Sequence, residues 1–386
     1  MPIALHPLED PLGIRHAGPD LLSLALLDAR NHLLVRVAQN PCATVLRLAV
    51  RAASYQEHWI SCHVQRGRGE ACDPEGVRLA GLEPAASEWL QGPAEAPRQL
   101  PTLDDVHSFL ARTLDVTLEL LSVTPAEEAA LFFYRQSLMH EDRLCEAIDE
   151  ELRLATPSAR VVREPLWMPA QRWLLGCAEP GAAGWVPFAE RGAQEVSLPE
   201  FEIDAQPVNW AQFAEFAQDG GYDQSQFWTD AGWAWVQATG RRGPAHVAQL
   251  RGAVVVQRGQ DGPQSLRRAP QGQAVMHVTQ HEAQAWCRWA GRRLATEAEW
   301  ELAASTTTSR GFVWGDVLEW TAGSARLWPG AGSAPPGALD SVPGAGLAVL
   351  RGASLATRAR WRHPKARRFV ALDSDTMFCG FRSCAF

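Results

Sequence analysis

MHVTQHEAQAWCRWAGRRLATEAEWELAA, Met276 to Ala304, decides how the second half of this 386-residue chain folds. Thr279 with Glu282, and Thr296 with Glu299, have the spacing of capping boxes, in which two side chains satisfy the free N–H groups at a helix start. Gly291 ends the first of these segments, because glycine enters the left-handed conformation that stops a helix. The spacing predicts helices over Thr279 to Ala290 and Thr296 to Ala304, and a third over Val208 to Gln218 stopped by Gly220 and Gly221. Around them, beyond a connector at Thr156 to Pro165, glycine, proline and tryptophan rise together while regular segments shorten. That pattern is an irregular, loop-rich α+β domain. The Gly/Ala/Pro-rich tract Pro329 to Gly346 reads as a surface loop.

The first half reads differently. Of 16 tryptophans only Trp59 and Trp89 precede residue 166. From Asp20 to about Leu154 apolar residues recur at three and four spacings, which predicts four helices and hence a bundle. The first covers Asp20 to Ala38, and the second starts with Asn40 as N-cap and Pro41 as first helical residue and runs to His63. A long connection follows. Thr102 with Asp105 opens the third helix, and Thr124, Pro125 and Glu127 open the fourth as a second box. The expected organisation is a four-helix bundle over residues 1–160 and the α+β domain over 166–386.

With 46% hydrophobic and 21% charged residues the chain can bury a sizeable core, which excludes the disordered and fibrous classes. Thirty-six basic against 44 acidic residues leave a net charge of −8, which argues against nucleic acid or another polyanion as the main partner. Nothing near Met1 to Asp20 resembles a signal peptide and no 18-residue apolar run occurs, so a cytoplasmic protein without membrane spans is expected. Eight cysteines without CxxC spacing read as free thiols. Gly240 to Gly243 lacks the strand-to-helix context and lysine of a phosphate loop.

The opening run, with GFVWGDVLEWTAG (Gly311 to Gly323), VLRGASLATRARWRHP (Val349 to Pro364) and FCGFRSCAF (Phe378 to Phe386), resembles the formylglycine-generating-enzyme type domain, an irregular variant of the C-type lectin fold. LPEFEIDAQPVNWAQFAEFAQDGGY (Leu198 to Tyr222) and DAGWAWVQ (Asp230 to Gln237) narrow the resemblance to the sulfoxide synthases of ergothioneine biosynthesis and their relative selenoneine synthase. YQEHWISCHVQRGRGEACDP (Tyr55 to Pro74) and the FRSCA ending look most like selenoneine synthase, and the first half resembles the DinB-type bundle of such enzymes. The resemblance implies a mononuclear non-haem iron(II) that activates dioxygen and joins selenium or sulfur, from a selenosugar or thiol donor, to the imidazole of hercynine.

Three histidines hold the iron in that family, one from the second helix and two from the fourth at HxxxH spacing. Matched residue by residue, those positions are Arg51, His140 and Leu144. A guanidinium cannot deprotonate and leucine has no lone pair, so iron(II) binding is expected to be weak or absent. Arg51 is expected to pair instead with Glu141, Asp142 or Glu146. His58, seven residues after Arg51, lies two turns away, roughly 10 Å, and His63, Cys145 and Glu146 do not reproduce the ligand spacing. Arg66 and Arg68 fall where the family grips donor carboxylates. Arg368 and Asp375 fall at polar positions of its substrate pocket, in a cleft between the two domains. Cys379 and Cys384 lie near the paired cysteines of formylglycine generators, with different spacing. Two readings follow: a selenoneine-synthase-like enzyme, or a metal-free, inactive or regulatory paralogue that binds a ligand or partner. A homo-oligomer or an active homologue as partner stays open.

Overall fold

The three-and-four apolar spacing of the first half is realised as long helices in the computed structural model, which describes residues 6–62, 102–177, 184–259, 265–340 and 343–386. A short helix, α1 (Pro11–Arg15), leads into α2 (Pro19–Gln39), α3 (Ala43–Gln56), α4 (Leu103–Ser122) and α5 (Glu128–Leu152). Leu33, Val37, Ala49, Leu110 and Ile148 are fully buried where α2 to α5 meet. Each large aliphatic side chain so buried contributes about 1.5–3 kcal/mol.

Thr102 and Asp105 make the reciprocal box expected at the start of α4. Two other expected starts are corrected. Asn40 closes α2, its N–H bonded to the Arg36 carbonyl, so Pro41 lies between helices and Cys42 is the N-cap of α3 without a side-chain bond. Thr124 is likewise spent at the end of α4, its hydroxyl donating to the Leu120 carbonyl at 2.7 Å, and α5 starts from Glu127 with no side-chain cap. The second helix also does not stay α-helical to His63. At Glu57 it becomes a π-helix through Cys62. Residue 63 and the long connection after it lie outside the described residues.

The second half is mixed and irregular, as expected. Its helices are α6 (Trp210–Gln218), α7 (Asp230–Thr239), α8 (Gln280–Trp289) and α9 (Glu297–Thr306). The boxes of α8 and α9 form as read, and an unforeseen one, Asn209 with Gln212, opens α6. The best-formed sheet among the described residues has the order 367–371, 347–351, 318–320, 379–381. Its first pair is antiparallel with Leu347 opposite Ala371, and its last pair is parallel with Leu318 opposite Cys379. Trp320, Phe213, Phe216, Val278 and Phe381 fill the core between this sheet, α6 and α8. No helix among the described residues is long and apolar enough to cross a membrane.

One face of α5 joins the two halves. Asp142 accepts from Arg360 at 2.6 and 2.9 Å and from the Trp361 indole at 2.6 Å. One turn on, Glu146 accepts from the Ser354 and Thr357 hydroxyls, both at 2.6 Å, and from Arg368. Glu150 accepts the Phe378 N–H at 3.0 Å. The chain start adds Arg15 to Glu190 at 2.6 Å and the Trp185 N–H to the Arg15 carbonyl at 2.9 Å.

The tract expected to be a surface loop also docks on the bundle. The Gly337 carbonyl accepts from the Tyr55 hydroxyl at 2.5 Å and Gln136 at 3.3 Å, and Asp340 takes both Arg143 donors at 3.0 and 3.2 Å. Gly337 has φ +73°, and a Cβ there would meet the Trp59 ring at 2.9 Å, so only glycine lets this backbone come so close. Breaking the Arg360–Asp142 pair by Arg360→Ala leaves a buried carboxylate uncompensated. It should cost about 3–5 kcal/mol in urea unfolding, whereas removing the exposed Arg172–Glu195 pair by Arg172→Ala should cost less than about 1 kcal/mol. Equal losses would show that the α5 contacts do not hold the halves together.

Candidate functional site

Four residues apart on α3, Arg51 and Tyr55 share a helix face, and α5 brings Gln136, His140 and Arg143 against it. His140 is 6% exposed and stacks on the Tyr55 ring, with centroids 4.2 Å apart and planes inclined by 22°. Its Nδ1 has no hydrogen-bond partner. Burial, with the charges of Arg51 and Arg143 added, pushes the imidazole down to about 3, so it is neutral. Tyr55 is fixed by its bond to the Gly337 carbonyl, and burial raises its phenol.

Arg51 is close enough for its charge to act on His140, but it does not make the ion pair expected of it. Glu141 is taken by Arg30 at 2.6 Å and by Gln56 at 2.7 Å, and Asp142 and Glu146 by the second half. These carboxylates are already neutralised on other faces of α5. The Arg51 Nε is buried without a partner, and burial lowers the guanidinium. Leu144, one turn after His140, is 6% exposed and packs in the apolar cluster with Val45, Ala49 and Phe109.

A divalent metal would find poor company here. Beside one imidazole stand a cation and an apolar side chain, and the adjacent Cys145 thiol is raised well above its ordinary range by burial and by the charges of Asp142 and Glu141. Thiolate is the ligand form, so that shift disfavours it. The residues do not fit iron(II). Among the described residues no group of three or more His, Cys, Asp or Glu side chains could hold a metal ion. His58 lies inside the π-helix, where the α spacing used to place it two turns beyond Arg51 no longer applies, and its ring meets Trp59 edge-on at 4.8 Å. His63, Arg66 and Arg68 lie outside the described residues.

Arg368 and Asp375 are drawn to different partners. Arg368 bonds Glu146 on α5. Asp375 pairs with Arg241 at 2.5 Å, and its carbonyl bonds the His277 ring at 2.9 Å. Arg241 lies over the Trp235 ring and lines a cavity of about 780 Å³ formed by Tyr222 and residues 239–251, which has no bundle residue in its wall. This opening is therefore apart from His140, and the residue chemistry, not a cavity's size, points to the latter. Cys379 and Cys384 are free and buried, and burial raises both thiols, so neither is an activated nucleophile.

Sequence reasoning missed Tyr55 as the partner of His140 and the carboxylates of α5 as docking groups. The signal was present in Asp142, Glu146 and Glu150, whose spacing of four puts them on one helix face.

Residues 157–328 match the family model described as sulfatase-modifying factor enzyme 1-like domain. Hercynine oxygenase of Mycolicibacterium thermoresistibile is 30% identical over 279 residues, 64% of this chain and 58% of that protein. Hercynine oxygenase of Mycobacterium tuberculosis is 28% identical over 368 residues, 75% of this chain and 83% of that one. A mouse protein named inactive C-alpha-formylglycine-generating enzyme 2 is 32% identical over 166 residues, 40% of this chain and 49% of its own length. The chain is thus homologous to hercynine oxygenases, and it spans less than two thirds of the first of these relatives.

The docking face has its own titration. Burial and the neighbouring Glu146 charge push Glu150 up to about 8, while burial of Glu146 is outweighed by Arg368 and the hydroxyls, which hold it below its ordinary value. Folded Glu150 therefore keeps a proton that the unfolded chain releases above its ordinary carboxylate pKa. Its contribution is full below that value and is lost as pH rises to about 8, at up to about 1.4 kcal/mol per pH unit. Glu150→Gln keeps a carbonyl for Phe378 and should gain stability relative to the parent between pH 5 and 8, read from parallel urea titrations at about half-unit steps. A difference that does not vary with pH would contradict this assignment.

Proposed function

We propose that the protein is a metal-free relative of the hercynine oxygenases that binds a hercynine-like small molecule, or an active homologue, without forming the C–Se or C–S bond. The observation that carries this reading is Arg51 beside His140, with Leu144 one turn further: a cation and an alkyl group stand where the family resemblance places two imidazoles. A metal needs several deprotonated donors placed together, and one neutral imidazole with water does not offset the hydration of Fe²⁺. The folding motifs support a working protein, since the caps of α8 and α9 and the packing of Trp286, Trp300 and Trp320 are in place. On this reading the cytoplasm is its compartment, and Arg66, Arg68, Arg368 and Asp375 are ligand-contacting candidates. The similarity to hercynine oxygenases favours a second reading, selenoneine-synthase-like catalysis with a selenosugar or thiol donor.

Elemental analysis and a hercynine turnover assay separate the two. Purified parent protein should carry far less than about one iron per chain and leave hercynine unchanged. Arg51→His with Leu144→His should raise iron affinity by at least about tenfold, since His140 already projects from the facing helix. Stoichiometric iron in the parent, lost on His140→Ala, would return the protein to the catalytic class.

A further inference from the structure

Counting charges around His140 leaves one over. Glu141, Asp142 and Glu146 are neutralised by Arg30, Arg360 and Arg368, and Arg143 is neutralised by Asp340. Arg51 makes no ion pair among the described residues, although it is half-buried and its Nε is shielded from water. Beside it the ring of His140, 6% exposed, has an equally unsatisfied Nδ1. Buried polar atoms are rarely left unpaired, and a desolvated cation without a counter-charge is the costlier case. Tyr55 donates its hydroxyl proton to Gly337 rather than to His140, and Leu144, in the apolar cluster, has no polar group to offer.

We propose that Arg51 and His140 form a seat for one oxyanion, a carboxylate or phosphate group of a small molecule, at the place where the family resemblance puts a metal. This rests on the metal-free reading above. The guanidinium supplies a planar fork that matches two oxygens, and neutral His140 donates from Nδ1–H in the tautomer this requires. The stacking on Tyr55 fixes the imidazole plane, so the donor direction is set before the ligand arrives. No proton is transferred and no bond is made.

Inorganic phosphate and acetate, titrated into the full-length protein at constant ionic strength and followed by calorimetry and thermal unfolding, test this and separate the two oxyanion classes. One or both should bind saturably and raise the melting temperature as a site ligand does. Arg51→Gln breaks no ion pair and should fold, yet lose at least about tenfold in affinity. His140→Phe keeps the ring stack without the donor and should weaken binding severalfold, whereas Arg242→Gln, at an exposed position, should not. A response unchanged in Arg51→Gln, or none up to about 50 mM of either anion, overturns the seat. Iron measured on the same samples keeps the two claims apart. Iron-free protein without an anion response refutes the seat alone, and stoichiometric iron refutes the metal-free reading and the seat with it.

Discussion

Asp142, Glu146 and Glu150 recur every four residues on α5, and the placement of the whole second half depends on what they accept. Arg360 and Trp361 come from a turn between strands, Ser354 and Thr357 from the turn before it, Arg368 from one edge strand and Phe378 from just before the strand at the other edge. Four separate pieces of irregular chain are thus referenced to one rigid helix. Burying the Asp142 and Glu146 carboxylates is costly, and it is offset only because each is met by fixed donors, while Glu150 is buried with its proton; breaking one pair leaves the other partner stranded. The same helix repeats the device inside the bundle, where Glu141 holds Arg30 and Asp149 holds Arg36.

Most residues of the motifs shared with the hercynine oxygenases are occupied in this packing. In the run HEDRL, Glu141 and Asp142 beside His140 are held by Arg30 and Arg360. In RGAS, Arg351 is buried against Glu301 at 2.5 Å and Ser354 bonds Glu146. In FRSCA, Arg382 grips Glu319 with two bonds and lies over Phe312 at 3.8 Å. Resemblance carried by such residues reports the architecture. Where the family resemblance places three histidines, position 140 has one, and positions 51 and 144 carry arginine and leucine.

The helices were legible wherever a local device fixes them. The Thr–Glu boxes of α8 and α9 and the Thr102–Asp105 box need only neighbours three residues apart. Asn40 and Thr124 misled because each has the right chemistry for a helix start but is spent on the helix that precedes it. The π-helix at Glu57 is announced by no residue type. At the site, the absence of donors at Arg51 and Leu144 was readable from residue identity alone. The partners of His140, Asp375 and the 329–340 tract were not, since Tyr55, Arg241 and Gly337 lie far away in sequence and only tertiary packing selects them.

The chain start wraps onto the far half: Glu9 and Asp28 engage Arg358, Arg15 engages Glu190, and the Arg15 carbonyl caps Trp185. Together with the Tyr55–Gly337 clasp this means that the two halves are held to each other at several places besides the connector at residues 156–165. Cleaving that connector would not release two free pieces. The fragments would stay associated and melt in one transition, because neither can open its end of the shared surface without exposing the ionic row of the other.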